Sequence, residues 1–233
     1  MTAIFKKRPS GMPAFYTIWV GQFFSLLGTG MTRFALTLWA WELTGSATAL
    51  AFVAFFSFTP SIIFSPIAGA LVDRWDRKLV MMLSDLAAGV GTIALLILSL
   101  NGVLALWHVY LIAFVAGIFE SFQFPAYSAA ISTMVKKDQF ARTSAMLGLA
   151  GSASNIIAPI SAAAVYGLFN LNGILVIDIA TFLIAYATLV IVKIPSAKRS
   201  AEGAASRENF WQELSYGFRF IWQRKSLFWL QMA

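Results

Sequence analysis

The feature that most constrains this chain is a series of apolar runs, each long enough to cross a lipid bilayer. A spanning helix needs about 20 largely apolar residues, because hydrocarbon cannot hydrogen-bond to exposed backbone groups. Six such runs follow one another, at residues 15–41, 48–72, 79–100, 104–134, 141–168 and 172–193. Because the breaks are short, neighbouring helices are expected to be antiparallel. The pattern predicts an all-α integral membrane protein, with a six-transmembrane-helix bundle over residues 1–195.

The composition supports a membrane solvent and excludes several kinds of chemistry. Hydrophobic residues make up 59% of the 233 residues and charged residues 12%, about half the charged share of an ordinary soluble domain. The chain has no cysteine, which excludes disulfides, cysteine-ligated metals and thiol catalysis. It contains neither a phosphate-binding P-loop nor a cluster typical of an intramembrane enzyme. We therefore expect no enzyme activity, no metal and no cofactor.

The basic residues predict the orientation of the bundle. Sixteen of the 17 Lys and Arg residues lie before the first run, after the sixth, or in and beside the second and fourth breaks. The other breaks, at 42–47, 101–103 and 169–173, contain none. By the positive-inside rule, both termini are expected in the cytoplasm, with the chain in a cell membrane such as a bacterial inner membrane. The net charge of +7 is then a topology signal, and no nucleic-acid partner is expected.

The composition changes after Pro195. Residues 196–206 resemble an exposed linker, and aromatic and aliphatic residues then recur at helical spacing to about residue 226. We interpret 196–226 as a cytoplasmic linker with an amphipathic helix, which lies on the membrane or packs on the protein. Residues 227–233 are apolar again and are interpreted as the start of a truncated seventh helix.

The most informative motif lies in the second break and reads Gly69-Ala70-Leu71-Val72-Asp73-Arg74-Trp75-Asp76-Arg77-Lys78. From the residues alone it is a tight turn in which a glycine permits close helix approach and cations lie at the membrane surface. The motif resembles the loop between helices two and three of the major facilitator superfamily, G-x-L-a-D-r-x-G-r-k. Asp76 replaces the second glycine, as in the branch of macrolide and siderophore exporters.

Other segments resemble the same branch, namely Gly21–Ser25, Thr44–Ser46 and Phe124–Ala126. The resemblance implies that the chain is the amino-terminal half of a two-bundle transporter, whose partner is a missing carboxy-terminal half of six helices. It also implies a cytoplasmic gate formed by Gly69, Asp73, Arg74, Arg77 and Lys78.

The fifth run carries Pro159, which is expected to kink its helix. Small residues recur at every fourth position, at Ala150, Ser154, Ala158 and Ala162. Such a ridge lets two helices approach closely in lipid. The stretch is only weakly similar to the glycine-rich pattern of exporters in this family.

Ionisable residues at membrane depth are costly, and Glu120, Arg33 and Asp178 are therefore candidates for proton coupling or substrate binding. Arg33 and Asp178 lie at comparable depth, and we predict that they form a structural ion pair. Glu120 has no obvious partner and is a candidate for proton coupling or for binding a cationic substrate. The alternative for Glu120 is a buried structural role. Asp85, near the cytoplasmic end of the third run, is interpreted as structural.

Together these patterns predict a secondary active transporter that exports amphipathic small molecules (drug, macrolide or siderophore-like) in exchange for protons, by alternating access. The expected partners are a small-molecule substrate, protons and the lipid bilayer. The alternative is a six-helix membrane scaffold or regulator that does not transport.

Overall fold

The computed structural model describes residues 9–72 and 74–195. Within these residues the chain forms five α-helices and one short 3-10 helix. The helices are α1 (Met12–Thr44), α2 (Ala47–Val72), α3 (Arg77–Leu100), α4 (Leu106–Met134) and α5 (Phe140–Ile191), and the 3-10 helix is Lys137–Gln139. Asp73 and the predicted linker, amphipathic helix and seventh helix at 196–233 lie outside the described residues.

The predicted count of six separate helices is not confirmed, because α5 includes both the fifth and the sixth predicted runs. Its 52 residues are interrupted at Asn170, where φ is 53° and ψ is −165°. α1 contacts α5 on both sides of this residue. The indole N–H of Trp19 donates to the carbonyl of Met146 (2.9 Å), and Tyr166 donates to Glu42 (2.6 Å). Beyond Asn170, Gly21 and Gly28 lie against Thr188 and Asp178.

The order of these contacts shows that α5 folds back on itself. Before Asn170 the residue numbers of α5 rise along α1, and after it they fall. The two arms of α5 therefore run antiparallel to each other and both pack on α1. The reversal takes place at Asn170, which is exposed and has non-helical dihedral angles with a positive φ.

Four helical segments are long and apolar enough to cross a membrane, namely α2, α3, α4 and the segment Lys137–Ile191. The mean hydropathy of an 18-residue stretch in each is 1.9, 2.0, 1.5 and 2.5, respectively. α1 does not reach this level, since Gln22, Thr29, Thr32 and Arg33 interrupt its apolar sequence. Its 33 residues are nevertheless enough to span a bilayer, and both arms of α5 pack against it.

The small-residue ridge predicted on the fifth run is confirmed as a packing surface. Ala150, Ser154, Ala158 and Ala162 are all buried. A Cβ added at Gly30 of α1 would lie 2.8 Å from the Cβ of Ala158, so the two backbones approach as closely as glycine and alanine allow.

The buried apolar residues form two clusters at opposite ends of the bundle. One includes Phe15, Ile18, Met81, Ile131 and Leu189. The other includes Leu36, Val53, Val109, Ile174 and Leu175. Most polar side chains of the bundle lie between the two clusters along the helices, while Thr32 and Arg33 overlap the second cluster on α1. This polar layer contains the candidate site.

Candidate functional site

The polar layer surrounds a cavity of about 70 Å³ that is reached by α1, α2, α3, α4 and the second arm of α5. Its wall is mostly apolar, with alanine, leucine, isoleucine and valine side chains and Gly117. Its polar lining consists of Thr29, Thr32, Arg33, Ser57, Thr92, Glu120 and Asp178. A cavity of this size holds a few water molecules or part of a small ligand.

The predicted ion pair between Arg33 and Asp178 is wrong. Arg33 instead forms a salt bridge with Glu120, in which Nη2 lies 2.9 Å from Oε2. The Arg33 guanidinium also lies 5.1 Å from the ring centroid of Phe58 on α2. Depth along the helices indicated Asp178 as the partner and none for Glu120, but the rotation of each helix about its axis decides which carboxylate faces Arg33.

The Arg33–Glu120 pair is partly open to solvent in this bundle. The side chains are 31% and 48% exposed, and both line the cavity. A pair in this setting is held less firmly than a fully buried one and can exchange partners at moderate cost. Glu120 therefore has the partner that sequence reasoning did not find, and this carboxylate remains accessible from the cavity.

Asp178 is buried among hydroxyl groups. It is 3% exposed, and its Oδ2 accepts hydrogen bonds from Thr32 (2.9 Å) and Thr92 (2.8 Å). Thr29 donates to its Oδ1 over 3.3 Å. The carboxylate therefore connects α1 and α3 to the second arm of α5. Sequence reasoning missed these threonines. The signal that could have identified them is that three threonines within apolar runs lie at the same depth as a carboxylate.

A second polar cluster lies in the same layer, on the side of the cavity that is closer to the gating motif. Gln22 and Gln123 each donate a side-chain N–H to Asp85, over 2.8 and 2.9 Å. Gln123 also donates to Oε1 of Gln22 over 3.0 Å. These residues join α1, α3 and α4, and none of the three lines the cavity.

The gating motif forms the turn between α2 and α3. The backbone N–H groups of Arg74 and Trp75 both donate to the carbonyl of Leu71. Asp76 caps α3, since its Oδ1 accepts from the N–H of Leu79 over 2.9 Å. This explains how an aspartate serves at the position of the second glycine, because aspartate is a preferred N-cap residue.

The structure also shows the surroundings of two further motif residues. Lys78 donates through Nζ to the carbonyls of Val190 (3.2 Å) and Val192 (2.7 Å), and so binds the carboxy-terminal end of α5. A Cβ added at Gly69 would meet no atom within 4 Å, so the close approach expected there is not made within the described bundle. Asp73 lies outside the described residues, and the gating role of the motif stays a prediction.

Pro159 lies inside α5 without interrupting its helical dihedral angles, and the break in that helix is at Asn170. A bend at Pro159 therefore stays a prediction.

Comparison with known proteins agrees with this architecture. The family model described as Major Facilitator Superfamily matches residues 18–233. The chain belongs to the major facilitator superfamily. Members of this superfamily are membrane transporters and not enzymes, and the apolar helices described above fit a multi-pass membrane protein.

Among its relatives in the superfamily are proteins named for export. The chain is 34% identical over 214 residues to macrolide efflux protein A of Streptococcus pyogenes. The matched residues cover 92% of this chain and 52% of that protein. It is 33% identical over 184 residues to macrolide efflux protein A of Enterococcus faecalis, a match that covers 79% of this chain and 56% of that protein. It is 25% identical over 147 residues to the enterobactin exporter EntS of Shigella flexneri, a match that covers 63% of this chain and 36% of that protein. The chain thus spans about half the length of the macrolide efflux relatives it matches.

Proposed function

We propose that this chain forms one helical bundle of a proton-coupled exporter of amphipathic small molecules, which works by alternating access. The observation that carries the proposal is the Arg33–Glu120 salt bridge on the wall of a largely apolar cavity. An apolar wall with a few placed charges is typical of sites for amphipathic ligands. The export named in the relatives supports the same direction of transport.

Glu120 is the centre of the proposed exchange. A carboxylate can hold a proton or a cationic group of a substrate, but the two compete for the same oxygen atoms. Binding of one therefore favours release of the other, and this competition is the basis of antiport. Arg33 is the resident cation of the site. A cationic substrate would displace it from Glu120, while the ring of Phe58 continues to face the guanidinium.

Alternating access requires a second bundle against which this one can rock. Since the chain matches about half the length of its macrolide efflux relatives, we propose that a bundle equivalent to their other half completes the transport path. In that assembly the motif at Gly69–Lys78 would form a gate on the cytoplasmic side. Both termini would lie in the cytoplasm, and the membrane would be the cell membrane of a bacterium.

The experiment is uptake of a radiolabelled macrolide into inverted membrane vesicles from bacteria that express the complete coding region. With an acidic vesicle interior, we expect uptake that a protonophore abolishes. Glu120→Gln should reduce this uptake by at least about tenfold, because it removes a charged hydrogen-bond partner worth about 1.5 kcal/mol or more. Glu42→Gln is the matched control, since Glu42 lies at the end of α1 outside the cavity and binds Tyr166.

Two results would contradict the proposal. Uptake in the Glu120→Gln variant that equals the wild type, with unchanged dependence on pH, would remove Glu120 from coupling. Absence of uptake for a panel of amphipathic compounds by well-folded protein would favour the six-helix scaffold instead.

A further inference from the structure

The cluster of Gln22, Asp85 and Gln123 has a geometry that the exporter mechanism above does not use. Asp85 is 7% exposed, and two side-chain amides contact its two oxygens. The amides come from α1 and α4, whereas Asp85 lies on α3. Three helices therefore meet at one buried carboxyl group, one to two helical turns from the cavity lining at Ala88 and Thr92.

Neutral groups alone contact this carboxylate. Among the described residues, the salt bridge found is Arg33–Glu120, and no cationic side chain contacts Asp85. The charge of an ionised Asp85 is thus balanced only by amide N–H dipoles in an apolar bundle. Such a buried charge without a counter-ion is costly, and a proton added to the carboxylate removes it.

The hydrogen bonds of the cluster leave one buried acceptor atom without a donor. Both N–H groups of Gln123 are in use, one towards Asp85 and one towards Gln22, while its carbonyl Oε1 is buried and has no partner among the described residues. A protonated Asp85 has a new O–H donor and needs one more acceptor. Rotation of the Gln123 amide by half a turn would put Oε1 where the N–H now faces Asp85, and would also break the hydrogen bond from Gln123 to Oε1 of Gln22.

Two other buried hydroxyl groups lie beside this cluster in the sequence. Ser84 Oγ is adjacent to Asp85, and Tyr127 Oη belongs to the residue one turn beyond Gln123 on α4. Both are buried, and both lack a hydrogen-bond partner in the described part of the chain. Unpaired polar atoms on the same two helices indicate a region in which hydrogen bonds can be rearranged.

We propose that Asp85 is a proton-binding site, in which the side-chain amide of Gln123 changes its orientation as Asp85 gains or loses a proton. Water supplies the proton, an O–H bond forms at one carboxylate oxygen, and that O–H donates to Gln123 Oε1. Gln123 lies one turn from Glu120 on α4. A proton at Asp85 therefore changes the hydrogen bonds of Gln123 beside the cavity, although the proton itself does not enter the cavity.

The charged and titratable groups around Asp85 are few among the described residues. On α4, Glu120 and Tyr127 lie one turn on either side of Gln123, and Glu120 is paired with Arg33 of α1. On the second arm of α5, Asp178 and Tyr186 flank Phe182, whose ring packs on Gly89. On α3 itself, Arg77 lies about two turns before Asp85.

The test is acid-induced infrared difference spectroscopy of the purified full chain in lipid, without substrate, so that failure of transport cannot affect the result. The protein carries aspartate labelled with carbon-13 at the side-chain carboxyl, which shifts every aspartate carboxyl band. We expect a labelled carboxylic-acid band to grow as the pH falls. Because the other four aspartates of the chain carry the same label, the Asp85 band is identified as the component that persists in Asp178→Asn and is lost in Asp85→Asn.

Gln123→Met tests the amide directly and keeps Asp85 in place. The carboxylic-acid band should remain in this variant but move to higher frequency, because its acceptor is gone. Ser84→Ala is the control for a general packing defect and should leave the band where it is.

Several outcomes would overturn the proposal. They are an acid-induced spectrum of the wild type with no labelled carboxyl band, a band that disappears in Asp178→Asn, or a band unchanged in folded Asp85→Asn. A band whose growth depends on sodium at constant ionic strength would show a metal-cation site instead. If Asp85→Asn does not fold, Gln123→Met decides the matter, because it keeps Asp85 and a labelled band that does not move in this variant would overturn the proposal.

Discussion

At the scale of single residues, the three buried or half-buried carboxylates of this bundle differ in what surrounds them. Glu120 faces a guanidinium and the cavity, Asp178 faces three hydroxyl groups, and Asp85 faces two amides. Burial and partner together determine what each can do. The half-exposed ion pair can exchange partners, whereas the hydroxyl cluster around Asp178 holds helices together.

This difference predicts unequal effects on stability. Asp178→Ala should lower the free energy of unfolding by about 2 kcal/mol, since it removes the acceptor of three interhelical bonds worth about 0.6 kcal/mol each. Glu120→Ala should cost less than about 1 kcal/mol, because its ion pair is partly solvated. Thermal unfolding of the two variants in detergent, followed by size-exclusion chromatography, measures the difference. A Glu120→Ala variant as unstable as Asp178→Ala would contradict this ranking.

At the scale of helices, α1 is the element around which the bundle is organised. It packs against both arms of α5, and glycines on α1 make this possible. Gly28 faces Asp178 and Thr181 on the second arm, while Gly30 faces Ala158 on the first. A helix that presents backbone to its neighbours can bring its polar side chains into the polar layer without separating the helices.

A methyl group at Gly28 should therefore disrupt the bundle. A Cβ there would overlap Thr181 and would lie 2.9 Å from Oδ1 of Asp178. We expect Gly28→Ala to destabilise the protein by about 1–3 kcal/mol, the usual cost of overpacking. Gly151→Ala is the control, because an added Cβ there meets no atom within 4 Å and alanine favours the helix by up to about 1 kcal/mol. Equal melting temperatures for the two variants would show that the contact at Gly28 is not tight.

The reversal inside α5 is also a property of a whole element. Asn170 has a φ of 53° and a ψ of −165°, which lies outside the left-handed helical region that asparagine tolerates and is a combination otherwise largely confined to glycine. The connection between the two arms is so short that helical hydrogen bonds continue on both sides of it. This is why two predicted runs became one helix with an internal fold.

At the scale of the molecule, the bundle consists of a polar layer between two apolar clusters. The cavity, the Asp178 hydroxyl cluster and the Asp85 amide cluster all belong to this layer. The apolar clusters hold the helices together at both ends, so that rearrangements of hydrogen bonds between them need not unfold the bundle. A bundle held together at both ends can move as one body, as rocking against a second bundle requires.

The predicted orientation can be measured on the whole molecule, because the chain has no cysteine and single cysteines can be introduced against a clean background. Lys137→Cys should react with a membrane-impermeant thiol reagent only in inverted vesicles. Asn101→Cys should react only in intact cells, since it lies in a break without basic residues. Both positions are exposed in the structure. Reaction of both residues from the same side would contradict the assignment.

Much of the architecture was predictable from the sequence, since it depends on properties that single segments carry by themselves. The length and apolarity of each run determine an all-helical membrane protein, because hydrocarbon leaves backbone polar groups no other partner. Four-residue spacing of Ala150, Ser154, Ala158 and Ala162 likewise predicted a packing ridge, since small side chains on one helix face have few other uses in lipid. The loop motif led to the family for a similar reason: its residues are contiguous.

The tertiary structure decided which polar groups meet. Arg33 and Glu120 are 87 positions apart in the sequence. Whether Arg33 pairs with Glu120 or with Asp178 depends on how each helix is rotated about its axis, and the depth of a residue in the membrane gives no information about that rotation. The same is true of the threonines around Asp178, of the amides around Asp85, and of the reversal that joins two runs into α5. The sequence by itself thus determined that charged groups lie inside a membrane bundle of this family. Only packing decided their partners, because a buried charge is stabilised by whatever the neighbouring helices present to it.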